Sequence, residues 1–179
     1  MRLLPTTAAL LGKELRTEFR SRELLTTTIV FILIVIVLFS FTFDPTSDES
    51  RRFAPGLLWL AFLFAASLML QPCFLREQQN DTLSALRLSV GDPFAIFLAK
   101  LAANTLFLVL TEMILLPLFA IMYNVPVMHV LHWLFLVFFL ASLGISIAGT
   151  ALSAISAQAR MRELLLPLLM LPLLTPILV

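Results

Sequence analysis

The chain has 179 residues, 60% of them hydrophobic and only 13% charged, with a formal net charge of +1 at pH 7. A soluble domain is typically about 45–50% apolar and about 25% charged, and a chain this short has too little interior to hide such an excess. The composition therefore excludes a water-soluble fold, and the single Cys73 excludes an internal disulfide framework and a cysteine-based zinc site.

Residues 8–23 read as an amphipathic helix, with Leu11, Leu15 and Phe19 at four-residue spacing and Lys13, Arg16, Arg20 and Arg22 as cations. Such a helix can lie in the headgroup layer with its arginines near anionic lipid; a plain charged leader before a span fits equally. The apolar stretch Leu3–Leu11 comes before the charged segment Lys13–Glu23, the reverse of a cleavable signal. The first span is thus expected to be an uncleaved anchor.

Each crossing of a hydrocarbon layer about 30 Å thick needs about 20 apolar residues. Leu24–Phe43 supplies the first, and DPTSDESRR at 44–52 reads as a polar turn. Phe53–Leu75 supplies the second, with Pro55 expected in its first turn. The longest polar stretch, REQQNDTLSALRLSVGDP, occupies 76–93. Phe94–Met122 and Val130–Ile155 give the third and fourth spans, and SAQARMRE at 156–163 links to a proline-punctuated fifth, Leu164–Val179. That last stretch has sixteen residues and no polar flank, so the helix is expected to belong to a longer chain.

Lys and Arg mark the cytoplasmic side of a membrane protein. Ten fall in the N-terminal segment, the 76–100 region and the 156–163 link, against only Arg51 and Arg52 in the alternate connections. The N-terminus is therefore expected in the cytoplasm. The chain divides into a cytoplasmic amphipathic segment, 1–23, and an all-α transmembrane domain, 24–179, with a cytoplasmic loop at 76–93.

Within that loop, Asp81 can cap a short helix running through Leu88, with Leu83 and Leu86 on one side and Ser84 and Arg87 elsewhere. Asp92 is then expected to cap the third span, with Pro93 at its first position. A short amphipathic helix of this kind could fit a groove on a cytoplasmic motor, or be an ordinary interfacial loop. Inside the third span, Glu112 is expected to face protein or water, because an ionisable side chain in lipid costs on the order of 2.5–3.5 kcal/mol. It lies twelve residues from Lys100, about 18 Å along the axis and about 120° around it, too far to pair. Lys100 is expected to snorkel, and Asn104, Thr105, Thr111 and Glu112 share its wedge. A hydrogen-bonded structural role for Glu112 is favoured over a role in proton or ion movement.

The fourth span carries Ser142, Ser146, Gly149 and Ser153 on one stripe, a packing face where backbones approach closely. Residues 144–150 superficially look like a phosphate loop but lack the lysine. His129 and His132 stand beside Trp133; haem or metal ligation there lacks a third ligand, so an interfacial role is preferred. No arrangement suits catalysis. No directly bound cofactor, metal site or nucleic-acid partner is expected.

The order of these features resembles the haem exporter protein B family (CcmB). The resemblance rests on GKELRTEFRSREL at 12–24 and on FLREQQNDTLSALRLSVGDPFAIFLAK at 74–100, where Phe74, Glu77, Thr82, Leu83, Leu86, Asp92, Pro93 and Lys100 follow the family pattern. Glu112 with Leu116-Pro117 follows, then GISIAGTALSAISAQARMRELLLPLLMLPLLTPIL at 144–178. The resemblance implies an ABC-2-type transmembrane domain of six helices, five of them present here, acting as the permease subunit of a bacterial inner-membrane system for cytochrome c maturation. It further implies a homodimer, an ATPase partner (CcmA-like) that holds the ATP, and a haem-handling neighbour (CcmC-like). Haem itself would be exported, or a haem-loaded chaperone released. On this reading Glu77, Asp81, Thr82, Leu83, Leu86 and Arg87 contact the ATPase. A non-transporting scaffold, or an unrelated ion-coupled transporter using Glu112, are the other classes.

Overall fold

Long apolar runs with few backbone-disrupting residues must satisfy their own peptide groups in lipid, and helices do so within one segment. A computed structural model describes residues 3–42, 47–74, 92–123 and 131–156. They form α1 (Leu3–Ser21), α2 (Glu23–Thr42), α3 (Asp48–Leu70), α4 (Pro93–Met122) and α5 (Leu131–Ser156). No strand occurs among the described residues. Helices α2 to α5 each contain a stretch long and apolar enough to cross a membrane. This is an all-α, polytopic membrane protein. The expected fifth span at 164–179 lies outside the described residues.

The central element is α4, which packs against all four other helices. Its buried residues include Ala95, Ala99, Ala103, Phe107, Thr111, Leu115 and Phe119, and alongside them Ile96, Lys100, Asn104, Leu108, Glu112 and Leu116. A four-residue step overshoots a full turn by about 40°. The buried stripe therefore winds around α4 and meets different helices at different heights. At its N-terminus Asp92 accepts from the Phe94 amide at 2.9 Å, with Pro93 following, as the sequence suggests.

Helix α3 buries Ala54, Leu58, Ala61, Phe62, Ala65, Ala66, Met69 and Leu70. Phe138 of α5 is 2% exposed and stacks on Trp59 at 4.7 Å and 7°, while meeting Phe62 edge-on at 5.3 Å. Apolar side chains such as Leu33, Ile34 and Leu38 of α2, and Leu136, Leu140 and Ile147 of α5, remain exposed. They suit a lipid boundary.

Three sequence expectations need correction. Helix α3 starts at Asp48, so Pro55 lies inside it rather than in its first turn, and 48–52 is helical instead of a turn. Acidic residues at a helix N-terminus complement its dipole, and a helix leaving lipid need not break on meeting water. The same helix stops at Leu70 and gives way to a turn over 71–74, short of the expected Leu75. Pro72 explains this, since the residue before a proline is pushed out of the helical region. Finally, Leu11 and Leu15, expected with Phe19 on a stripe facing the headgroup layer, pack against the core instead, while Phe19 is 56% exposed. The inward face of α1 continues instead through Glu18.

Glu18 owes its burial to the corner between α1 and α2. Arg22 adopts the left-handed conformation, φ 54°, and the chain re-enters a helix at Glu23. The Glu18 carboxylate accepts from the amides of Leu24 at 2.8 Å and Leu25 at 3.1 Å. It thus caps α2 from the preceding helix, with negative charge on the positive end of the dipole. Glu18→Ala is expected to destabilise the protein by about 0.5–2 kcal/mol, the usual range for a lost cap. Glu18→Gln keeps an acceptor and should cost less. Thermal unfolding of the detergent-solubilised variants checks the ranking, and equal losses would count against the cap.

Candidate functional site

A polar seam runs along α4. It begins near the N-terminal end, where Lys100 is only 3% exposed rather than snorkelling to water. Its ammonium donates to the Cys73 carbonyl at 2.5 Å and lies 3.5 Å from Glu14 Oε1 on α1. It also sits 5.1 Å from the centroid of the Phe74 ring. A carbonyl, a carboxylate and an aromatic face together replace the water that a buried ammonium gives up. The lysine stays buried because α1 and the 71–74 turn close over it.

One turn further along, the Asn104 amide donates to Thr150 Oγ1 of α5 at 2.9 Å and approaches Cys73 Sγ at 3.1 Å. Thr105 leaves the wedge: it is partly exposed, and its hydroxyl donates back to the Leu101 carbonyl at 2.9 Å. Glu112 lies about 12 Å beyond Asn104 along the axis. It is fully buried and accepts through Oε1 from the Ser142 hydroxyl of α5. Its Oε2 and the Ser146 hydroxyl, one turn from Ser142, are buried without a hydrogen-bond partner among the described residues.

Ser142, Ser146, Gly149 and Ser153 are all buried on α5, alongside Thr150. Their small side chains suit the extensive α4–α5 contact. Lys100, Asn104 and Glu112 thus share one seam, which the small-residue face meets. The loop residues Glu77, Asp81, Thr82, Leu83, Leu86 and Arg87 lie outside the described residues, as does His129. His132 is exposed, its ring 5.5 Å from Trp133. No cluster of three or more His, Cys, Asp or Glu suited to a metal occurs among the described residues.

Glu14, Cys73 and Thr150 are contributors to the seam that sequence reasoning missed. Glu14 meets a lysine 86 positions away, a separation that leaves no local pattern. Thr150 sat within the segment resembling a phosphate loop, where its hydroxyl serves helix packing instead.

The geometry is that of a helix bundle joined by buried polar contacts. Sequence comparison gives its family. A family model described as CcmB protein matches residues 6–179. The chain belongs to the CcmB family. It is 34% identical over 170 residues to heme exporter protein B of Pseudomonas aeruginosa, covering 95% of this chain and 76% of that protein. It is 32% identical over 171 residues to heme exporter protein B of Rhodobacter capsulatus, covering 96% and 78%. With heme exporter protein B of Escherichia coli it shares 35% identity over 91 residues, 51% of this chain and 41% of that one. CcmB membership and four apolar spans together make this a multi-pass membrane protein with bacterial relatives.

Proposed function

We propose that this CcmB-family chain is the non-catalytic permease subunit of an ATP-driven complex in bacterial cytochrome c maturation. Its work is haem export, or release of a haem-loaded chaperone, driven by ATP hydrolysis on a CcmA-like partner. The observation that carries this reading is the match with proteins named heme exporter protein B along nearly the whole chain. The ABC-2-type architecture, the homodimer, the CcmC-like neighbour and the inner-membrane location with the N-terminus in the cytoplasm belong to the same proposal. Haem enters as cargo or handled ligand, not as a resident cofactor.

The motor contact is assigned to the polar segment at 76–93, through Glu77, Asp81, Thr82, Leu83, Leu86 and Arg87. Leu83 and Leu86 supply its apolar side. Substituting both with Asp is expected to remove the ATPase from the complex purified from native membranes, while the membrane subunit still inserts. Undiminished co-purification would place the contact elsewhere.

The buried Oε2 of Glu112 favours a second reading, in which that carboxyl carries an ion across the membrane. Glu112→Gln separates the two. An ion-coupled carrier would lose its dependence on a pH gradient and need no ATPase, whereas the permease would keep its partner and its activity.

A further inference from the structure

The end of α3 is tied down more thoroughly than a turn requires. At Cys73 and Phe74 the chain is gripped by α4 through the Lys100 ammonium, on the Cys73 carbonyl and near the Phe74 ring. Asn104 adds a contact to the Cys73 sulfur and reaches Thr150 on α5, while Lys100 reaches Glu14 on α1. An apolar cluster of its own reinforces the same point: Phe74 packs with Ile96, Leu10, Cys73 and Ala154, drawn from the turn, α4, α1 and α5. The chain then re-enters α4 at the Asp92 cap, two turns from Lys100.

We infer that Lys100, with Glu14 and Asn104, forms a latch that makes the exit of α3 move as one body with α1, α4 and α5. These are positioning residues: they hold Cys73 and Phe74, where the chain enters the 75–91 segment. The physical reason is stiffness. A turn held only by its own backbone would flex under load, whereas this one carries a charge-assisted hydrogen bond, a cation–ring contact and packed side chains from three helices. Motion of the segment that follows is delivered to the bundle instead of being absorbed at residues 71–74. The motor that supplies the motion rests on the proposed function; the latch itself does not.

Cys73 is the only cysteine among these 179 residues and lies within the latch, so this 179-residue chain carries its own probe. In the purified full chain, Lys100→Met is expected to raise the rate of Cys73 alkylation by N-ethylmaleimide roughly tenfold, through local opening. Loss of the cation alone would disfavour the thiolate and slow the reaction, so a rise reports opening. Lys100→Arg should stay near the parent rate. Glu14→Gln, which removes only a partly exposed ion-pair partner, should give a smaller rise and decides the matter if Lys100→Met does not fold. Unchanged or slower alkylation in folded Lys100→Met, or in Glu14→Gln where Lys100→Met does not fold, overturns the latch.

In the assembled complex, Lys100→Met should retain the ATPase and its ATP turnover yet lower holocytochrome c formation severalfold. Normal maturation would overturn the mechanical role. If no ATPase accompanies the parent chain, the proposed function fails, and the alkylation rates still decide the latch.

Discussion

Replacing Phe138 with alanine is expected to lower the stability of the protein in detergent or lipid by about 3 kcal/mol. Phe138 makes the α3–α5 aromatic contact, stacked on Trp59 and edge-on to Phe62. In a soluble core, Phe→Ala costs about 3–5 kcal/mol, partly from returning apolar surface to water. Between membrane helices the separated reference state already lies in lipid, so the void and the lost ring contacts dominate and the low end applies. Each aromatic pair contributes about 0.5–1.5 kcal/mol of that loss. Phe138→Leu refills much of the volume and should recover part of it. Denaturation in increasing SDS, followed by helical signal, gives the order; a Phe138→Ala variant as stable as its parent would show that α3 and α5 are held together elsewhere.

Glu112→Ala is expected to cost about 2–3 kcal/mol in the same assay. The sign depends on the reference state. When the helices separate within the bilayer, a carboxyl midway along α4 meets lipid, at a cost on the order of 2.5–3.5 kcal/mol by insertion scales. Folding relieves that exposure by burying Glu112 against Ser142. Alanine forfeits the relief, leaves a void and strips Ser142 of its acceptor. Glu112→Gln preserves an acceptor for Ser142 and nearly the same volume, so it should be close to neutral. A glutamine variant as unstable as the alanine one would mean that the carboxyl itself, not a hydrogen-bond acceptor, is needed.

How much of this was legible beforehand follows from the range of each signal. The four described spans could be read because lipid demands long apolar runs, and Leu24–Phe43 or Val130–Ile155 look like nothing else. The Asp92-Pro93 cap could be read because its chemistry is local. The burial of Glu112 followed from the cost of exposing it, but its partner Ser142 was known only as one of a stripe of small residues. Lys100 shows where such reasoning stops. A lysine near a helix end is free to reach water unless another element covers it, and nothing near position 100 announces that α1 does so. Leu11 and Leu15 part from Phe19 for the related reason that four-residue spacing offers several faces and only packing selects one. Pro55 marks a different limit: an exposed proline inside a long helix costs less where water or neighbouring helices re-satisfy the freed backbone groups.

The corner at Arg22 ties the direction of α1 to that of α2. A span longer or shorter than the surrounding hydrocarbon adjusts by leaning. Because the Glu18 carboxylate and the left-handed Arg22 brace the joint between the first two helices, a lean of α2 would turn α1 with it, like an outrigger on its boat. Glu14 would then carry that swing to Lys100, at the base of α4.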